Sequence, residues 1–421
     1  MKYILRYYWL TALLSVNLAE AQPDVTRPLP LSVAENGHYY LAEGHYRGNF
    51  RISSPATIEC HKHAIIDGMG QGNALLIDAE NVSLSGCTLR NAGSNLTDMN
   101  AAVFVTARSH NTTIRQNHIR GKGFGIWVDG ARQVKLLDNT IRGDDSVRSQ
   151  DRGNGIHLYA VQNALVQGNR IEKTRDGIYI DTSNHNHLDN NVISDLRYGI
   201  HYMFSNNNRV TNNHTRNTRT GYALMQSRKL TVTSNTSEND QNYGILMNYI
   251  TYSTLQHNNV SGVRSGSSGN NQIDGAEGKA LFIYNSVFNE ISANHFSNSS
   301  LGIHLTAGSE DNKIFSNAFI NNEQQVKYVA TRTQEWSDKG RGNYWSDYLG
   351  WDRNADDIGD ISYEPNDNID RLIWMYPQMR LLLNSPAIEL LRWVQQAFPV
   401  VKSPGVKDSF PLMTPALTEA P

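Results

Sequence analysis

Five side chains with an affinity for soft metal ions recur on one beat along this chain: His157, His201, Met203, Met225 and His304. His157 and His201 are 44 residues apart and Met203 and Met225 are 22 apart, so a backbone that returns every 22 residues would stack them. Imidazole and thioether favour copper over calcium, magnesium or manganese, and thioether prefers Cu(I). The same residues also suit a row that packs under long loops or against a partner, because Met and His are common in structural roles.

Two carboxylate sets offer other chemistry. Asp129 and Asp181 would lie two coils apart, about 9–10 Å by strand spacing. That is close to the roughly 6.5–9.5 Å between the carboxyls of inverting glycosidases, although Tyr159 falls between them. Asp352, Asn354, Asp356 and Asp360 place oxygen ligands at alternate positions, as calcium loops do. Asp357 stands where such a loop wants Gly, and no Glu closes it, so a structural calcium and an Asp-rich cap turn both remain open. Phosphate cradles, nucleophile elbows and dinucleotide fingerprints are absent from the sequence.

What positions these residues is a repeat. Gly155, Gly177, Gly199, Gly221 and Gly244 each open a short apolar run, at steps of 22, 22, 22 and 23. A second ladder, Asn169, Asn191, Asn213, Asn235 and Asn258, keeps the same steps. It extends to Asn117, Asn139, Asn294 and Asn317. Two unrelated signals with one period mean that a single unit is stacked. A unit of 22 residues with two or three short apolar strands is too short for a helical hairpin and carries no leucine-rich consensus. The expected fold is all-β: a right-handed parallel β-helix in which each Asn stacks on the Asn of the next coil.

Side chains alternate across a strand, so positions +1 and +3 from each ladder Gly form the core. These are Ile156/Leu158, Ile178/Ile180, Ile200/Tyr202, Tyr222/Leu224, Ile245/Met247 and Ile303/Leu305. With Lys279 in the Gly place of one coil, Ala280/Phe282 are read as core and Leu281/Ile283 as outer. Positions +2 and +4 point outward, and the soft-metal candidates fall there. Two Asn steps are long, at 30 and 36 residues, and the excess lies in Gly143–Arg152 and Ser261–Gly269. Such insertions in a solenoid tend to lie on a working face.

Around the repeat, residues 1–21 read as an export signal, with Lys2 and Arg6 before an apolar run and Ala19-Glu-Ala21 as a cleavage site. Residues 22–325 are the β-helix with its N-terminal cap, 326–377 an aromatic and Asp-rich cap, and 378–421 an amphipathic helical tail starting near Ser385-Pro386. Cys60 and Cys87, 27 residues apart, are about one coil apart. They suit a disulfide in an oxidising compartment; two buried thiols or a soft-metal pair are the alternatives. The formal charge of −2 gives no basic footprint for nucleic acid.

Several long runs are more specific than the period. They include Arg148-Ser-Gln-Asp-Arg-Gly-Asn-Gly-Ile-His-Leu158, Arg219-Thr-Gly-Tyr-Ala-Leu-Met-Gln-Ser-Arg228, Gly302-Ile-His-Leu-Thr-Ala-Gly-Ser-Glu310 and Asn343-Tyr-Trp-Ser-Asp-Tyr348. On these the chain, from about Leu75 to Pro404, resembles the NosD family, periplasmic maturation factors of nitrous oxide reductase. The resemblance implies a non-enzymatic copper role in the periplasm. It also implies partners: an ABC-type permease and ATPase subunit, a copper chaperone lipoprotein, and the reductase with its tetranuclear copper site. The helical tail would then dock on the permease and supply the membrane contact. The readings that compete with this one are a β-helical polysaccharide lyase, epimerase or glycosidase, and a metal-free scaffold that binds the reductase.

Overall fold

The computed structural model describes residues 27–33, 38–264, 278–306, 308–329, 332–366, 385–397 and 405–415. The expected signal segment 1–21, the helical stretch Met379–Leu383 and residues 265–269 of the second insertion lie outside them. Among the described residues the chain winds into three thirteen-stranded sheets, each coil giving one strand to each sheet. Successive strands pair in parallel, as Tyr198–Met203 does with Thr220–Met225 and His214–Arg216 with Thr236–Glu238. Ser32–Val33 is antiparallel to His38–Leu41.

The core follows from alternation. Ile156, Leu158, Ile178, Ile180, Ile200, Tyr202, Ile245 and Met247 are all fully buried. One coil departs from the expected count. Ile245 pairs with Leu281 and Met247 with Ile283, both fully buried, while Phe282 points outward. Ala280, not Lys279, therefore takes the Gly place, because Tyr243 pairs with Lys279. The long insertion hid the register of this coil.

The asparagines form one buried hydrogen-bonded column. Asn191 donates from its backbone N–H and its Nδ2 to Asn213 Oδ1, at 3.0 and 2.8 Å, and from Nδ2 to Val166 O at 2.9 Å. The motif repeats from Asn117 to Asn343. A buried amide left without partners costs about 1–3 kcal/mol per group, so the column ties each coil from Asn117 to Asn343 to the next. In the first coils Cys60 and Cys87 form a disulfide, with Cα atoms 4.9 Å apart.

The solenoid continues past the boundary expected at residue 325. Gln324–Val329 is the thirteenth strand of its sheet, and Tyr344–Trp345 extends the sheet of Ala318–Ile320. The segment expected to be a separate tail is divided. Pro386–Ala397 is helical, with Ser385 Oγ 3.4 Å from Ile388 N at its start. Residues 405–415 return to the cap: Val406–Lys407 pairs with Gln334–Glu335, and Leu412 is buried. Asp408 accepts from Asn343 N at 2.7 Å, Trp345 Nε1 at 2.8 Å and Phe410 N at 3.1 Å. An open solenoid end exposes apolar rings and unpaired amides, and the apolar run at Phe410–Met413 supplies part of the cover.

Candidate metal centre

The outward +2 row is a column of rings rather than a solvated surface. Strand register sets Phe104, Trp127, His157, Tyr179 and His201 in line. Ring centroids are 3.8 Å apart for Trp127 and His157, 4.6 Å for His157 and Tyr179, and 4.4 Å for Tyr179 and His201. These spacings are close to the strand repeat of about 4.8 Å. Each ring shields its neighbours, so His157 and His201 are buried although they point away from the core.

His201 is oriented by a carboxylate. Its Nδ1 lies 3.1 Å from Asp176 Oδ2, and Asp176 also takes Arg197 Nε at 2.8 Å and Nη2 at 2.7 Å. Arg197 in turn covers the Tyr198 ring at 4.5 Å. Burial would push the Asp176 carboxyl up, but hydrogen bonds from His201 and Arg197 hold it below its usual range. An ionised carboxylate only accepts, so the imidazole proton sits on Nδ1 and the lone pair on Nε2. That Nε2 is shielded from solvent and has no hydrogen-bond partner. The next residue in the row is Ala223, which places no ring on that side. Met203 follows His201 on the same face, partly buried, and Met225 is at the equivalent position one coil on.

His157 is held the opposite way. Arg175 Nε donates to Asn154 Oδ1 at 3.2 Å, which turns Asn154 Nδ2 toward His157 Nδ1 at 3.1 Å. Nδ1 therefore accepts and the proton occupies Nε2, so neither nitrogen offers a free lone pair. Burial and then the charge of Arg175 pull His157 down to about 3, and it stays neutral. His304 is four strands from His201, about 19 Å, with Ala223, Leu246 and Phe282 between. It stacks on Phe282 at 4.8 Å, and burial, then Lys279 and Lys327, lower its pKa to about 3. Neighbouring ammonium groups oppose a second cation. The five residues thus do not form one site: His201 and Met203 share one strand face and Met225 holds the place of Met203 one coil on, while His157 and His304 stand apart.

Among the described residues no three His, Cys, Asp or Glu side chains converge on a metal position. A centre at His201 would be one imidazole with thioethers, a donor set suited to Cu(I). The remaining candidates are occupied otherwise. Tyr159 stands between Asp129 and Asp181 in the ladder, and burial raises Asp129. Asp352 accepts from Asp357 N at 2.8 Å, Asp356 from Ile358 N at 3.0 Å and Asp360 from Arg353 N at 2.8 Å. The Asp-rich loop thus closes on its own amides. The disulfide removes both thiols from metal binding.

Sequence reasoning missed Asp176 and Arg197. Strict alternation puts Asp176, one before the ladder Gly177, on the inside. The register instead pairs Asp176 with Tyr198 and resumes at Ile178 with Ile200, passing over the glycine. A Cβ at Gly177 would meet Gly199 O and Ile193 Cγ2, each at 2.5 Å, so the chain bends inward there and residue 176 joins the outer face. The usable signal was an acid and an arginine 21 residues apart, one place before Gly177 and two places before Gly199.

The chain is 62% identical over 404 residues to a probable ABC transporter binding protein NosD of Pseudomonas aeruginosa, covering 96% of this chain and 94% of that one. It is 62% identical over 402 residues to the same-named protein of Stutzerimonas stutzeri, covering 95% and 92%. A family model described as periplasmic copper-binding protein (NosD) matches residues 137–350, and one of unknown function matches residues 34–208. Solved structures share the fold alone. The surface adhesin PfbA of Streptococcus pneumoniae matches at 14% identity and a TM-score of 0.53, over 70% of this chain and 84% of that one. A family 28 exopolygalacturonase of Yersinia enterocolitica matches at 11% and 0.51, over 71% and 70%. Identity of 62% over nearly the whole chain and the match to the copper-binding family model make this chain a member of the NosD family.

Proposed function

We propose that this protein is a periplasmic, non-enzymatic copper-binding component of an ABC-type assembly. It accepts Cu(I) from a chaperone lipoprotein and presents it for the tetranuclear centre of nitrous oxide reductase. Support comes from the family's description as periplasmic and copper-binding and from the relatives' names as ABC transporter binding proteins. The observation that carries the metal reading is His201: a buried imidazole whose Nε2 lone pair is set free by Asp176, with Met203 two places on along the same strand face and Met225 at its equivalent one coil on. Copper is cargo in this reading, so a low-coordinate site of one imidazole and thioethers is suitable.

The helix Pro386–Ala397 is the proposed permease-docking element. Leu390, Leu391, Trp393 and Val394 are exposed on it, an apolar surface that a monomer does not need. Among the described residues no helix is long and apolar enough to cross a membrane.

The test is a Cu(I) titration of the exported protein against a chromophoric chelator at neutral pH. Stoichiometric binding that is lost in His201→Ala/Met203→Ala/Met225→Ala supports the site, and unchanged stoichiometry refutes it. A wild-type protein that competes for no Cu(I) is instead a metal-free scaffold. In the host, removal of the protein leaves a reductase polypeptide without its tetranuclear centre; a complete centre would refute the maturation role.

A further inference from the structure

The sheet that contains Gly44–Arg47, Ala64–Asp67, Thr88–Arg90, His118–Gly121 and Thr140–Gly143 carries a charged row on its outer face. In register it runs Arg47, Asp67, Arg90, Arg120, Arg142 and Glu172. Neighbours in such a row are about 4.8 Å apart, so three consecutive arginines repel one another unless each is compensated. The two outer ones are. Arg90 Nε donates to Asp67 Oδ2 at 3.0 Å, and Arg142 pairs with Glu172 and lies 3.8 Å from Asp145. Asp67 is a settled carboxylate: burial would raise it, but hydrogen bonds from Met69 N, Asn91, His45 and Arg90 bring it down to about 2. Arg120, between them, is exposed and has no carboxylate within ion-pair distance among the described residues.

Arg120 opens into a cleft of about 920 Å³, lined also by Lys122, Asn91 and Ser94. Pockets of about 300–1,000 Å³ hold organic ligands, so the space exceeds what a single small ion needs. Among its ionised side chains Arg90 is paired with Asp67, and Arg120 and Lys122 face Asp144. These two cations against one carboxylate leave this part of the cleft cationic on a chain whose net charge is −2. At Gly121 an added Cβ would meet nothing within 4 Å, so the wall beside Arg120 is bare backbone facing open space.

We infer that this cleft binds an anionic ligand bearing at least two carboxylate or phosphate groups, held by Arg120 and Lys122, with Asn91 and Ser94 as neutral donors. That chemistry has two sources, a free small polyanion and an acidic stretch of a partner polypeptide. The site lies in the first coils, away from His201, and does not rest on the copper reading.

Calorimetric titration of the mature protein at low ionic strength, with pyrophosphate, citrate and a hexaglutamate peptide as separate probes, tests it. Saturable binding of at least one probe is expected, weakened by salt and weakened about tenfold or more in Arg120→Gln, which removes a charge-assisted hydrogen bond. Gly121→Tyr keeps the charge and fills the cleft, and it should abolish binding. Arg209→Gln, an exposed charge on another sheet, should change nothing. Thermal melts confirm that each variant is folded. Binding confined to pyrophosphate or citrate identifies a free anion, and binding confined to hexaglutamate identifies an acidic segment. No saturable heat with any of the three, or equal weakening in Arg209→Gln, overturns the inference.

Discussion

Asp176→Asn separates a carboxylate that orients a metal-binding imidazole from one that merely fills an ion pair. The substitution keeps the shape and removes the charge. Asp176 serves three donors, Arg197 Nε, Arg197 Nη2 and His201 Nδ1. Arg197 spans both oxygens, Nε on Oδ1 and Nη2 on Oδ2, and His201 Nδ1 shares Oδ2, so the NH2 of an amide meets a guanidinium donor in either orientation. At the Oδ2 place it also donates to His201 Nδ1, which moves the imidazole proton to Nε2 and removes the lone pair available to Cu(I). At the Oδ1 place His201 keeps an acceptor but loses its anionic partner, which leaves the imidazole a weaker ligand. Removing such an orienting partner lowers metal affinity about 10–100-fold, equivalent to roughly 1.4–2.7 kcal/mol. A stability cost accompanies it. Breaking a fully buried pair costs about 3–5 kcal/mol; Arg197 is 28% exposed, so a smaller loss of about 2–3 kcal/mol is expected. Chelator competition gives the affinity and urea unfolding the stability. His157→Gln is the control, because His157 Nδ1 already accepts from Asn154. Folded Asp176→Asn with wild-type Cu(I) affinity, or an equal loss in His157→Gln, would refute the reasoning.

Three further outcomes are expected. His157, brought to about 3 by burial, has a folded pKa below the ordinary value of about 6.5. Its contribution is therefore full above about pH 6.5 and lost as pH falls toward 3, by up to about 1.4 kcal/mol per pH unit. Asp240 and Asp408, raised by burial to about 6, act oppositely: they weaken the fold as pH rises from about 4 to 6. Urea midpoints between pH 7 and 4 should fall less steeply in His157→Gln than in wild type, and parallel slopes would count against this account. Deleting residues 405–421 removes the acceptor for Asn343 N and Trp345 Nε1. It should loosen the cap by about 2–4 kcal/mol, seen as faster amide exchange over 317–345; unchanged protection would show that the returning segment is dispensable. Asn213→Ala strands Leu188 O, Thr211 O and Asn191 N and should cost about 3–5 kcal/mol in urea unfolding, whereas a loss under about 1 kcal/mol would show that the column is not stabilising.

Much of the fold could be read from spacing, because a coil must bury an inward residue at every second position and cap its turn at a fixed one. Ile156, Ile178 and Ile200, and Asn169, Asn191 and Asn213, therefore carry the period openly. Direction is not depth, however. Parity sent His157 and His201 outward without showing that neighbouring rings would bury them. Nor could spacing say which imidazole nitrogen is free, since that depends on Asp176 and Asn154, residues at the glycine bend where alternation fails. The coil of Ala280 slipped by one because the insertion before it has no period to count by. The return of residues 405–415 was hidden because it pairs with strands some 70 residues earlier, as Ser409 does with Glu335.

The asparagine column also has a direction. One N–H of each side-chain amide from Asn117 to Asn317 donates to the Asn of the coil that follows, while the amide also donates back to a carbonyl of the preceding coil. The last member of that forward file needs an acceptor from outside the repeat, and Asp408 supplies it at Asn343. Coils can wind in order as the chain emerges, yet the final one stays unfinished until residue 408 has emerged. Before then the exposed last rung is a template onto which another molecule's strand can add. The arrival of the C-terminal segment is thus the step that converts an extendable filament end into a solenoid of fixed length.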